Sequence, residues 1–180
     1  MNDHATVLAT RTVYTGRIFS VTVDHVRLPH GPEVNLEVVR HPGSVILVPM
    51  PDASTVILVR QYRYAVDHWL WELPAGSLEP GEDPERGAAR ECEEEVRLIP
   101  GTVERIGRFY PTPGFCNEEM SFFRLTDLKP PAPGTTLAEQ DEDEHLEIRR
   151  FTLEELADMV RRGEIQDLKT AVGFALLAGA

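Results

Sequence analysis

The chain has 180 residues, 42% of them hydrophobic and 27% charged, close to the balance of ordinary globular domains. That composition excludes disorder over most of its length and leaves room for one good core. With 18 basic and 30 acidic residues the net charge is −12, which argues against a general nucleic-acid binder or a basic membrane-surface protein.

The first residues, Met1-Asn2-Asp3-His4-Ala5-Thr6, lack the basic and apolar pattern of a secretory signal. No apolar run approaches the ~20 residues of a membrane span. The two cysteines, Cys92 and Cys116, have no metal-ligand spacing, and a cytoplasmic location is expected. Thr12–Thr15, Ile18–Val23 and Val34–Val38 read as strands, punctuated by Gly16 and by Pro29-His30-Gly31. Two short apolar runs, Val45–Val48 and Val56–Val59, flank Pro51-Asp52-Ala53 and predict a hairpin of buried strands.

A helix is predicted from Asp83 to about Leu98. Asp83 can cap it, Pro84 suits its first position, and Ala88, Cys92 and Val96 recur every fourth residue as a narrow buried stripe. Strands around Glu104–Tyr110 and Met120–Leu125 flank the loop Pro111–Glu119. A proline-rich bend at Pro130–Gly134 leads to an acidic loop and a strand near Leu146–Phe151. Thr152 and Glu155 form a capping box for a helix to about Arg162, Gly163 ends it, and a last helix starts near Asp167. This order predicts an α+β fold, with α/β/α layering around a mixed sheet.

The acid is concentrated. Eight carboxylates fall between Glu79 and Glu95 and six between Glu139 and Glu147, nearly half of the 30. An acidic helix by itself reads as a solvated face. Here, however, Glu91 and Glu95 lie four apart and project from one helix face, with Glu94 on the adjoining edge. Like charges at that spacing cost a few tenths of a kcal/mol unless something compensates them. A cation would, and carboxylate oxygens without thiolates or imidazoles point to Mg²⁺ or Mn²⁺. Gly76 and Gly81 allow the preceding loop to fold tightly against the helix, where a backbone carbonyl could complete a metal shell.

The segment runs Gly76-Ser77-Leu78-Glu79-Pro80-Gly81-Glu82, seven residues from Asp83 to Ala89, then Arg90-Glu91-Cys92-Glu93-Glu94-Glu95-Val96-Arg97-Leu98. This resembles the box that defines the Nudix hydrolases. Gly76, Glu82, Arg90, Glu91, Glu94, Glu95 and Leu98 match it, and six such fixed matches arise by chance on the order of once in ten million windows. Two positions depart: Cys92 replaces an aliphatic residue, and Arg97 replaces the glycine that serves the helix C-cap. With Arg97 there, the helix is expected to run on and break nearer Pro100-Gly101.

The resemblance implies a Nudix-type sandwich with an N-terminal antiparallel β region, residues 1–40, ahead of a hydrolase domain, residues 41–180. It makes Glu91 and Glu95 principal metal ligands, Glu94 accessory, and the carbonyl of Ala75 a further donor. Glu82 and Arg90 are expected to form an ion pair anchoring loop to helix, with Glu82 also able to reach a metal through water. Such enzymes cleave a nucleoside diphosphate linked to another group.

Beyond the box, Tyr14–Phe19, His41–Val45, Gln61-Tyr62-Arg63-Tyr64, Trp71–Gly76 and the loop Tyr110-Pro111-Thr112-Pro113-Gly114-Phe115 are similar to the ADP-ribose pyrophosphatase branch. That likeness implies ADP-ribose as substrate; other nucleoside diphosphate sugars, such as GDP-mannose, or dinucleotides are alternatives, as is a catalytically silent sensor. In Asp141-Glu142-Asp143-Glu144 it makes Glu142 the base and Glu144 a further ligand, with a two-residue slip left open. Arg63, Arg60, Glu72, Gly114 and Phe115 are candidates for substrate contacts. Trp69, Trp71 and Phe19 could stack a purine or pack in the core. A homodimer through the N-terminal strands is implied as well.

Overall fold

The computed structural model describes residues 3–134 and 145–178, which divide into two compact units. The acidic loop lies outside these residues, and so do Glu142 and Glu144.

The first unit holds the residues up to Gly43 together with Tyr110–Glu119. Its strands β1 (Thr6–Thr15), β2 (Ser20–Arg27) and β3 (Glu33–Arg40) form an antiparallel meander in that order. Gly16 donates to the Phe19 carbonyl in the first turn, so β2 begins only at Ser20. In the second turn Gly31 has φ of 115°, a conformation that side chains resist. Thr22, Asp24 and Val26 are buried on one face of β2, while all ten residues of β1 are exposed. The segment 110–119 docks along β3: Val39 donates to the Phe115 carbonyl, Asn117 donates to the Val39 carbonyl, and His41 N–H reaches Asn117 Oδ1.

In the second unit, β4 (Ser44–Pro49), β7 (Ala75–Ser77), β8 (Thr102–Phe109) and β9 (Met120–Thr126) make a mixed sheet of order β7-β4-β9-β8, with β4 and β9 parallel. A second, antiparallel sheet has β5 (Thr55–Arg63) between β10 (Glu147–Thr152) and β6 (His68–Glu72). The expected hairpin of Val45–Val48 with Val56–Val59 is therefore not formed as a strand pair. β4 and β5 follow one another but lie in different sheets. An unbroken apolar run reports burial on both faces and is silent about which strand pairs with it.

The strand β4 shows why the layers form. Ile46 and Val48 enter a cluster with Leu156, Met159 and Phe151, against which Val172, Phe174 and Leu177 pack. Val45 and Leu47 face the other way, onto Ala88, Cys92 and Val96. Period-two alternation thus feeds helices on both sides. Those helices are α1 (Pro84–Glu91) on one face, and α2 (Leu153–Arg161) and α3 (Leu168–Ala178) on the other. Each fully buried Val, Ile or Leu contributes roughly 1.5–3 kcal/mol of transfer free energy. The capping box of Thr152 and Glu155 starts α2, and Gly163, with φ of 72°, follows its end.

The helix carrying the glutamates ends earlier than the sequence suggested. Asp83 caps α1 through the N–H groups of Glu85 and Arg86, and Glu91 passes directly into a π-helical turn over Cys92–Val96. Arg97 then adopts the left-handed conformation, φ 62° and ψ 28°, and its N–H bonds the Cys92 carbonyl. Arg97 takes the backbone shape of the glycine it replaces, and the helix stops there instead of near Pro100. Before Arg97, Val96 is buried in the cluster around Ala88; after it, Leu98 packs on the same cluster and Ile99 pairs with Lys129, so the chain is held on both sides of the strained residue.

Candidate active site

The box brings a tight loop and a helix against one another. Glu82 accepts from Arg90 Nε at 2.9 Å and Nη2 at 3.0 Å, and also from the Glu79 N–H. Arg90 holds the Glu82 carboxyl below its ordinary value, and the guanidinium is pushed up in return. Arg90 Nη1 reaches on to Glu91 Oε1 at 2.7 Å and Glu94 Oε2 at 2.9 Å, and Nη2 to the Ser77 carbonyl. One arginine therefore ties loop and helix together.

Glu91 and Glu95 are buried, at 7% and 4% exposure. A charged carboxylate is buried only where something compensates it. Glu95 Oε2 accepts the N–H of Ala75 at 3.1 Å, tying the helix to the connector between β6 and β7. A Cβ on Gly76 would lie 1.9 Å from Glu91 Cδ and Oε1, so the glycine leaves a cradle that the carboxylate fills.

This donor set tests whether a divalent ion suits the site. Three glutamates and the Ala75 carbonyl offer only hard oxygens, the set Mg²⁺ and Mn²⁺ prefer. Among the described residues no three carboxylates converge on a single point, Arg90 lying between Glu91 and Glu94. The chemistry of the donors fits the metal, and the Gly76 cradle sets one of them.

Beside the box stands an ion network whose members lie far apart in the sequence. Arg63 grips Glu72 with a two-pronged fork, Nε to Oε1 at 2.9 Å and Nη2 to Oε2 at 2.7 Å. The buried Lys169, from the start of α3, also pairs with Glu72, and with Asp167 Oδ1 at 3.1 Å. Burial by itself would raise the Glu72 carboxyl, but hydrogen bonds from Arg63 and the charge of Lys169 hold it below its ordinary value. Glu72 thus sits inside the network at 2% side-chain exposure, while Arg63, at 41%, is its solvent-facing member. The available sequence signal was a polar Asp-x-Lys-Thr turn at the head of an otherwise apolar tail.

The remaining candidates belong to both units. Arg60 meets Glu147 at 3.4 Å and stacks on Trp69, itself exposed. Trp71 packs edge-on against Phe151 as part of the core. Phe19 and Phe115 are exposed. Gly114 and Phe115 line a cleft of about 350 Å³ in the first unit, with Leu36, Val38 and Tyr110. No helix of the described residues is long and apolar enough to cross a membrane.

The sequence profile of the NUDIX domain matches residues 40–170. The chain is 35% identical over 173 residues to an ADP-ribose pyrophosphatase of Bacillus subtilis (strain 168), covering 94% of this chain and 90% of that protein. An ADP-ribose pyrophosphatase of Mycobacterium tuberculosis (strain ATCC 25618 / H37Rv) is 38% identical over 159 residues, covering 88% and 75%. The crystal structure of an ADP compounds hydrolase superposes with a TM-score of 0.81 at 23% identity, over 98% of this chain and 93% of the other, and shows the same fold. With the box assembled as described, the chain belongs to the NUDIX family, as a diphosphatase similar to the ADP-ribose pyrophosphatases.

Proposed function

We propose that this protein hydrolyses the diphosphate bond of ADP-ribose, giving AMP and ribose 5-phosphate, with Mg²⁺, or Mn²⁺ in its place. The observation that carries the reading is the Gly76 cradle, which places the buried Glu91 carboxylate beside the connector that Glu95 also holds. Glu91, Glu95 and Glu94 would hold the metal with the Ala75 carbonyl. Bound divalent ions neutralise a diphosphate and lower the pKa of a coordinated water.

The chain's own groups do the rest. Arg90 and Glu82 hold the loop on the helix. Among the described residues the fork on Glu72 uses Arg63 Nε and Nη2, and Nη1 lies outside it as a donor for a phosphate oxygen. Glu142 serves as the base that takes the proton from the attacking water, and Glu144 as a further ligand. Gly114 and Phe115, at the edge of their cleft, and Arg60 contact the substrate's sugar or base. A homodimer is supported by the exposed Val7, Leu8, Val13 and Tyr14 along edge strand β1.

The test is product analysis with ADP-ribose, GDP-mannose, UDP-glucose, NADH and diadenosine polyphosphates in Mg²⁺. AMP should form fastest from ADP-ribose, stop on chelation, and be abolished by Glu95→Gln. A faster reaction with another substrate would keep the metal chemistry and overturn the substrate. Light scattering at micromolar concentration should give twice the 20.2 kDa chain mass, and a single-chain mass would refute the dimer.

A further inference from the structure

The first turn of α3 contains no residue of the box, yet its polar groups are buried. Thr170 is fully buried and Lys169 is 8% exposed. Thr170 Oγ1 donates its hydrogen to Asp167 Oδ2 at 2.6 Å, and Asp167 Oδ2 also accepts the Thr170 N–H at 2.9 Å. With its hydrogen so directed, the hydroxyl presents a lone pair, and the Leu73 N–H meets it at 2.7 Å. A hydroxyl has one proton to give, so Asp167 sets which way it faces.

Leu73 begins the connector Leu73-Pro74-Ala75, and each residue of it has one backbone group tied to a different element. Leu73 N–H is bound by α3, the Pro74 carbonyl by the Leu47 N–H of β4, and the Ala75 N–H by Glu95. Lys169 fixes the residue before it through Glu72. Gly173, one turn along α3, allows the approach, since a Cβ there would lie 2.3 Å from Leu73 Cδ1.

We propose that Asp167, Lys169 and Thr170 are positioning residues that fix the 73–75 connector, and through it the Ala75 carbonyl and the Glu95 carboxylate, for the metal. This rests on the metal site proposed above. Outer partners that orient ligands typically change metal affinity by about 10–100-fold when removed. A helix that merely docks would change the melting temperature and leave affinity alone.

The experiment is Mn²⁺ titration of the full chain without substrate, followed by the electron paramagnetic resonance of free Mn²⁺, well below each variant's melting temperature. Thr170→Val keeps the shape and removes the acceptor, and should weaken Mn²⁺ binding by about tenfold or more. Thr170→Ser keeps the hydroxyl and should bind within about twofold of the parent. If Thr170→Val does not fold, Gly173→Ala carries the same test, because it suits a helix better yet pushes on Leu73. Parent-like affinity in the folded variant, with Glu95→Gln losing binding, would overturn the positioning role alone. A parent that binds no Mn²⁺ would overturn the metal site and this proposal with it.

Discussion

The carboxylate of Glu91 stands where a side chain at position 76 would be, 1.9 Å from the Cβ that Gly76 lacks. Gly76 has an ordinary backbone, so what it supplies is space. Gly76→Ala should displace Glu91 and lower kcat/KM by about 10²-fold, the scale on which misplaced metal ligands act. Steady-state kinetics in saturating Mg²⁺, beside a melting curve close to the parent's, would check it. Unchanged kinetics would mean that Glu91 moves aside without cost.

Arg97 poses the opposite problem, one of conformation. A side chain in the left-handed region costs roughly 1–2 kcal/mol, and glycine removes that cost while adding freedom to the unfolded chain. Arg97→Gly should therefore stabilise the protein by up to about 1 kcal/mol, raising Tm by roughly 2–4 °C in a domain of this size. A fall in Tm on calorimetry would show that the arginine side chain contributes more than its backbone costs.

Glu72 makes stability depend on pH. Its carboxyl is held below its ordinary value when folded, so its contribution is complete above the unfolded value of about 4.3 and is lost as pH falls through the lowered one. Glu72→Gln leaves Arg63 and Lys169 facing one another across a neutral amide. That should cost about 3–5 kcal/mol near neutral pH, the usual scale for breaking a buried pair. Denaturant unfolding at pH 7 and pH 3 should show the difference between parent and variant shrinking at the lower pH.

The two thiols should report burial directly. Cys92 is fully buried, and burial pushes its thiol up to about 12, whereas Cys116 is half-buried. A thiol reagent at pH 8 should label one cysteine in the native protein and both in guanidinium. Two equivalents in the native state would show that the helix opens readily.

The box and the helix around it were legible because their interactions are local. Asp83 caps the helix two residues away, Arg90 pairs with Glu82 eight residues away, and Ala88, Cys92 and Val96 form one stripe. The capping box of Thr152 and Glu155 is legible for the same reason, its partners lying three residues apart. A glycine favours the left-handed conformation at a helix end, yet Arg97 adopts it, because the buried Val96 before it and the Ile99–Lys129 pair after it hold it there.

What the sequence by itself determined was the type of most segments, β6 and β7 aside, the buried stripe of the box helix, and the oxygen-rich chemistry of the box. Partners were left to the tertiary structure. The apolar runs Val45–Val48 of β4 and Val56–Val59 of β5 look alike, and only the assembled sheets show that these strands pair with β9 and β10 rather than with each other. Glu72 and Lys169 are 97 positions apart, and their meeting depends on how α3 crosses β4 and Leu73. Hydrophobic periodicity records that a face is covered, whereas the identity of the covering group follows from which surfaces meet when the core closes.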